Sequence, residues 1–179
     1  MPVGLIAAAI AVKLATKFGK RELSAMSLLF TGALYVVIYV MKIKSAWLFI
    51  AIYTVSQLGN MLFNMVTYAN ISDVIDYHEI LTGKRDDGTI YAVYSFSRKI
   101  GQALAGGLGG YALSWIGYNS MATTQTTEVT SAIYSLATGF PAVAYILVAV
   151  ILAFAYPLSK KVVNENSSKL AEMRAKKAD

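Results

Sequence analysis

Residues 57–110 read QLGNMLFNMVTYANISDVIDYHEILTGKRDDGTIYAVYSFSRKIGQALAGGLGG. Here a long apolar helix gives way to a charged loop, and then to a second helix that carries a lysine far into apolar sequence. Tyr53, Gln57, Asn60, Asn64 and Thr67 follow at steps of four, three, four and three, which sets them on one helical stripe. That helix closes with Asp73, Asp76, His78 and Glu79, the loop at 83–88 follows, and Arg98, Lys99 and Gln102 lead into the glycine run from Gly101 to Gly110. Polar stripes and cations are costly in lipid, so both are expected to face a protein interior or a water-filled cavity.

Composition agrees with a membrane setting. Hydrophobic residues make up 56% of the 179 positions and charged residues 15%, with a mean hydropathy of +0.53, well to the apolar side of a globular chain. The absence of cysteine rules out disulfides and thiolate zinc sites, and a single histidine rules out a multi-histidine metal site within this chain. The net charge of +6 comes in short clusters between apolar runs, not along one face, so it marks topology and not a nucleic-acid partner.

Five apolar segments can be drawn, at about Pro2 to Ala15, Leu23 to Met41, Ala46 to Ser72, Thr89 to Ile116 and Ile133 to Tyr156. At 1.5 Å per residue, roughly 20 residues cross a hydrocarbon core of about 30 Å, so four are long enough to span and the first reads as a truncated span. A signal peptide is the rival for that segment, but Lys13 and Lys17 follow its apolar part where a signal peptide has them in front. Twelve of the sixteen lysines and arginines fall on alternate connections: Lys13, Lys17, Lys20 and Arg21; Lys84 and Arg85; and six in the tail after Pro157. Retained cations mark the cytoplasmic side, giving an outside amino end and a cytoplasmic tail. Pro141 is expected to kink the last span. The basic tail, residues 158–179, reads as a solvated end held near anionic lipid in preference to a docking element, although Val163, Leu170 and Met173 line one weak face.

Lys99 lies about 15 Å along a helix starting near Thr89, close to mid-membrane. A snorkelling lysine is the alternative, but at that depth a role facing a cavity is the stronger reading. Gln102 one turn on and Ser95 one turn back can share hydrogen bonds with a hydroxyl-rich ligand. The stripe from Tyr53 to Thr67 reads equally as a lining for an aqueous path and as interhelical glue. Gly106 and Gly110 form a small-xxx-small pair, read as a close helix contact. Asp73, Asp76 and Glu79 crowd a helix carboxyl end, where the macrodipole disfavours anions. Lys84, Arg85, Lys17, Lys20 and Arg21 lie on the same side, so either an ion-pair network or a solvated cluster accounts for them. His78-Glu79 lacks the second histidine of a zinc helix, since Thr82 stands at that position.

With these residues in view, the chain resembles the glycoside-pentoside-hexuronide:cation symporters (melibiose permease-like) of the major facilitator superfamily. Asp73, Asp76, Tyr77 and Glu79 match the family's Asp-x-x-Asp-Tyr-x-Glu, and Lys99 with Gly101 matches its Tyr-Ser-x(n)-Lys-x-Gly. Residues Ala15 to Arg21 are similar to the basic loop joining helices eight and nine, without the aspartate common there. The resemblance implies an all-α, polytopic transmembrane helical bundle forming part of the carboxyl-terminal half of a major facilitator fold. It has about five helices, the first truncated: residues 1–157 would correspond to helices eight to twelve of twelve, and 158–179 to the tail.

The implied function is sugar:cation symport by alternating access in a bacterial inner membrane, with sodium or protons as the coupling ion and no cofactor, metal site or enzymatic activity. By the same resemblance Lys99 would line the sugar and cation cavity, while Asp73, Asp76, Glu79 and Arg85 would form a cytoplasmic gate. Ligand contacts are expected at Lys99 and Gln102, with Tyr53, Gln57, Asn60, Asn64 and Thr67 along the cavity. The expected partners are a carbohydrate, the lipid bilayer and the missing amino-terminal helices or a complementary half, without which no transport is expected. A membrane-assembly protein that moves no solute is the alternative. A membrane-embedded enzyme is disfavoured, because the carboxylates cluster at one rim with no nucleophile or metal set beside them.

Overall fold

A computed structural model describes residues 11–178; most of the first apolar segment therefore lies outside the described residues. Within them the chain is helical with no strand: α1 over 11–18, α2 Lys20–Met41, α3 Ala46–Thr82, α4 Asp87–Trp115, α5 Thr127–Phe154 and α6 Lys160–Ala178. The boundaries follow local chemistry. Ser45, Asp86 and Thr126 precede α3, α4 and α5 and accept hydrogen bonds from the N–H groups of Leu48, Thr89 and Val129, satisfying donors that a helix start leaves free. Gly83 closes α3 at φ 71, with its N–H bonded to the Glu79 carbonyl, a left-handed cap that glycine takes without strain.

Helix α2 is the hub, packed between α3 and α5. Its buried face carries Ser24, Ser27, Leu28, Thr31, Gly32, Tyr35 and Ile38. Small residues allow the approach. A Cβ on Gly59 of α3 would collide with Thr31 and the Ser27 carbonyl, and one on Gly32 would come within 2.8 Å of Ile146 on α5. The Thr31 hydroxyl lies 3.0 Å from the Ser27 carbonyl and 3.1 Å from that of Ser56. Close helix packing through small and hydroxylated residues is how membrane helices associate where lipid offers no hydrophobic contrast. At the far end Tyr134 ties α5 to α2, its hydroxyl donating to the Ile38 carbonyl at 2.7 Å and accepting from the Ile43 N–H at 3.1 Å. At the charged end, the Arg21 guanidinium donates to the carbonyls of Tyr156 and Ala153 at 2.8 and 3.1 Å, filling acceptors that the end of α5 leaves open.

Three expectations change. The contact assigned to Gly106 and Gly110 is absent: a Cβ on Gly101, Gly106, Gly107, Gly109 or Gly110 would meet no other part of the described chain within 4 Å, and no residue of α4 is buried. The close contacts sit instead at Gly32 and Gly59, because those glycines face a neighbouring helix. Helices α2, α3 and α5 are long and apolar enough to cross a membrane, by length and composition. Helix α4 has 29 residues, length enough to span, but Arg98, Lys99, Gln102 and six glycines hold down its hydropathy, so it is not among the helices that are also apolar enough by composition. The tail is not merely solvated: α6 packs on α3 with Leu170 and Asn166 buried. The segment Leu158 to Leu170 has too few apolar positions for a strong periodic signal, which is why its docking was not legible. Helix α5 runs unbroken through Pro141.

Candidate functional site

Helix α3 has 37 residues and is thus about 55 Å long, against a hydrocarbon core of about 30 Å. Its last two to three turns overhang the core, and they carry the acidic motif. There the structure assembles an ion-pair network. Asp73, whose side chain is 8% exposed, meets Lys20 of α2 at 2.6 Å. Glu79, 11% exposed, lies 2.8 Å from Arg174 of α6 and 3.3 Å from Arg85 of the α3–α4 loop. Arg85 also holds Asp76 and Asp87, each at 2.8 Å. The hydrogen bonds that Arg85 donates to Asp76 and then Asp87 push its guanidinium above its ordinary pKa, so this cation stays charged throughout any working pH range. Of the two readings left open for the acidic cluster, the network is the one observed. Four elements are cross-linked by a handful of pairs, and pairs this exposed, such as Arg85 with Asp76, are worth about 0 to 1 kcal/mol each.

Beside this network lies a cavity of about 670 Å³, walled by Gly19, Lys20, Ala69, Asp73, Asp76, Asn164 and Ser167 among others. Helix α6 forms one side, and the Lys160 ammonium donates to the Lys17 carbonyl at 2.9 Å. Removing residues 160–179 should therefore open the end of the bundle. A single cysteine introduced as Ala69→Cys into this cysteine-free chain is expected to react several-fold faster with a hydrophilic maleimide once the tail is deleted. Equal rates would show that the tail does not cover the site.

A second hollow, of about 240 Å³, lies between α3 and α4 and is lined by Tyr68, Tyr91, Tyr94, Ser95, Arg98, Lys99 and Gln102. Tyr68 and Tyr94 meet edge to face with centroids 6.2 Å apart, as do Tyr91 and Tyr94. Arg98 donates to the Tyr68 hydroxyl at 3.3 Å. Tyr68 stands five residues before Asp73 and eight before Asp76, so the hollow lies about 8 to 12 Å along α3 from the ionic cluster, on its apolar side. Lys99 and Gln102 thus share one polar, aromatic-walled space.

The α3 stripe forms its own ladder. The Asn60 amide donates to Gln57 Oε1 at 3.3 Å, the Asn64 amide reaches the Asn60 carbonyl at 2.8 Å and Oδ1 at 3.1 Å, and the Thr67 hydroxyl donates to the Phe63 carbonyl at 2.8 Å. Tyr53 stacks on Phe49 and meets Tyr35 of α2 edge to face. The Asn60 and Asn64 amides bond along their own helix and Asn64 is exposed, while Tyr53 and Gln57 also meet Tyr35 of α2. The stripe and the Lys99 hollow adjoin along α3 without merging into one cavity.

Residues 1–160 match the family described as MFS/sugar transport protein. The chain belongs to that family. Among relatives, it is 32% identical over 147 residues to the uncharacterized symporter YjmB of Bacillus subtilis, covering 82% of this chain and 32% of the relative. It is 33% identical over 127 residues to the putative glycoside/cation symporter YagG of Escherichia coli, covering 69% of this chain and 27% of the relative. It is 28% identical over 164 residues to a glucuronide carrier protein homolog of Escherichia coli, covering 91% and 35%. The chain thus spans about a third or less of the length of these relatives. No solved structure matches it significantly.

Membership in a transporter family bears out the resemblance read from the Asp73 to Glu79 and Lys99 motifs, together with the membrane-embedded, all-helical class. Sequence reasoning missed Arg174, which reaches Glu79 across 95 residues, and the tyrosines. The tyrosines had a signal: Tyr91, Tyr94, Ser95, Arg98 and Gln102 repeat at three and four residues, one helical face.

Proposed function

We propose that this chain forms the carboxyl-side helices of a sugar:cation symporter of the MFS/sugar transport family, working by alternating access. The observation that carries this reading is vertical order: a hollow lined by Lys99, Arg98, Gln102 and three tyrosines lies next to an ion-pair network that closes one end of the bundle. A ligand site set behind a gate built from weak, separable contacts is what alternating access requires. Aromatic rings offer apolar faces to a sugar ring, and amide, hydroxyl and ammonium groups address its hydroxyls. In this reading the ionic end, with α6, is cytoplasmic, and the membrane is a bacterial inner membrane. Asp73, Asp76, Glu79 and Arg85 act as the gate; Lys99 and Gln102 touch the solute; the α3 stripe from Tyr53 to Thr67 wets its path. Sodium or protons supply the driving force, and helices beyond this chain complete the opposite wall of the cavity. The names of YagG, a putative glycoside/cation symporter, and of the glucuronide carrier protein homolog support a glycosidic solute.

The test is uptake by proteoliposomes holding the protein as its gene encodes it. Labelled glycosides should accumulate above equilibrium only under an inward sodium or proton gradient. Gradient-independent equilibration, or no flux with any glycoside or glycuronide, would contradict coupled transport.

A further inference from the structure

The ionic end of the bundle is neutralised unevenly. Lys20, Arg85 and Arg174 each have a carboxylate partner at 2.6 to 2.8 Å, but Lys160 has none among the described residues, and its ammonium donates to the Lys17 carbonyl at 2.9 Å. Lys160 opens α6 and presses on the turn between α1 and α2 so closely that a Cβ on Gly19 would come within 2.9 Å of the Lys160 Cβ. The ends of α1 and α6 therefore meet, with Lys13 and Lys17 exposed one turn apart on α1. Lys160 is also part of the wall of the 670 Å³ cavity. Of the other charges on that wall, Asp73 is taken by Lys20 and Asp76 by Arg85, which leaves the Lys160 cation unbalanced. Asn166 lines the same cavity, is 7% exposed, and its side chain makes no hydrogen bond among the described residues. A buried amide without a partner is costly, and a ligand in the cavity would supply one. Val12, Ala15 and Val163 make part of the wall apolar, and Val12 and Phe18 are exposed beside it.

We propose that this cavity seats the headgroup of an anionic phospholipid, with its phosphate between Lys17 and Lys160 and its headgroup hydroxyls on Asn166 and Ser167. Exposed lysines beside a membrane-spanning bundle are well placed for lipid phosphate, and basic pockets at that level hold anionic headgroups. The exposed Val12 and Phe18 favour a ligand with acyl chains over a free phosphate. Because α1 and α6 each supply an ammonium, one phosphate fastens α6 to α1. No transport step enters here, so the lipid site stands or falls separately from symport.

The test uses the protein as its gene encodes it, delipidated in detergent, with binding of short-chain phosphatidylglycerol read by native mass spectrometry and by the unfolding midpoint. Phosphatidylglycerol should bind at least tenfold more tightly than phosphatidylcholine or phosphatidylethanolamine of the same chain length and raise the midpoint saturably. Glycerol phosphate, the headgroup without chains, should compete at least tenfold more weakly. Lys160→Gln and Asn166→Leu should each weaken phosphatidylglycerol binding at least fivefold, and Lys160→Arg should retain it. Lys169→Gln removes an exposed cation of α6 outside the cavity wall and should change binding less than twofold. Should Asn166→Leu fail to fold, the contrast between positions 160 and 169 decides alone. Equal losses at those two positions would show diffuse surface attraction and overturn the site. Equal binding of all three lipids would overturn the choice of an anionic headgroup, and glycerol phosphate binding as tightly as the lipid would overturn the lipid as its source.

Discussion

Lys99→Ala in the protein as its gene encodes it is expected to reduce gradient-driven uptake at least a hundredfold while leaving insertion and the helical circular-dichroism signal unchanged. Folding should not suffer, because α4 buries no residue and Lys99 is exposed. No packed contact is lost with the side chain, so the usual route to large destabilisation, a cavity or an orphaned buried group, is closed. What is lost is the ammonium in a hollow walled by Tyr68, Tyr91, Tyr94 and Gln102. A charged hydrogen bond to a ligand hydroxyl contributes about 1.5 to 3 kcal/mol, the upper end of which corresponds to a loss of about a hundredfold. Uptake retained within threefold would remove Lys99 from the transport path.

The second large effect is expected at the pair that joins α2 to α3. Asp73 is buried and lies 2.6 Å from Lys20, whose ammonium also sits 3.4 Å from the Ala69 carbonyl. Asp73→Lys would put two ammonium groups together beside an apolar helix interface. That single change is expected to lower uptake more than tenfold and to destabilise the bundle by about 3 to 5 kcal/mol, the range for leaving a charge buried and uncompensated. The exchange Lys20→Asp with Asp73→Lys restores opposite signs and should recover a large part of both losses. Neighbouring residues that interact directly show coupling of about 0.5 to 3 kcal/mol in such a cycle, read here from the unfolding midpoint in detergent and from uptake. Additive losses in the double variant would mean that the pair is not a functional contact. Arg85 with Asp76, both largely exposed, should tolerate the same exchange with a much smaller change.

These outcomes bear on which parts of the molecule its sequence disclosed. The acidic motif was legible because Asp73, Asp76 and Glu79 recur at helical spacing at the end of an apolar run, and anions there require cations; Lys20 and Arg85 supply them. The stripe from Tyr53 to Thr67 was legible for the same reason of period. Two features were not. Arg174 lies in a tail whose apolar face is thin, and nothing in its local pattern distinguishes docking on Glu79 from solvation. Nor does a glycine carry any sign of its neighbour: Gly59 and Gly106 look alike in sequence, yet α2 presses on the first and no described helix reaches the second. Small residues report that a close approach is permitted, and only the arrangement of helices decides where it happens.

Water and solute are expected to pass along the polar face of α3 toward the Lys99 hollow. Single cysteines placed at Gln57, Asn60, Asn64 and Thr67, in a background free of other reactive thiols, test it directly in proteoliposomes against a cysteine at the exposed apolar position Leu58. A small hydrophilic thiol reagent should modify the four stripe positions at least tenfold faster than position 58, and a transported solute should slow modification at positions 64 and 67. Stripe cysteines as inert as the one at position 58, with or without solute, would contradict it.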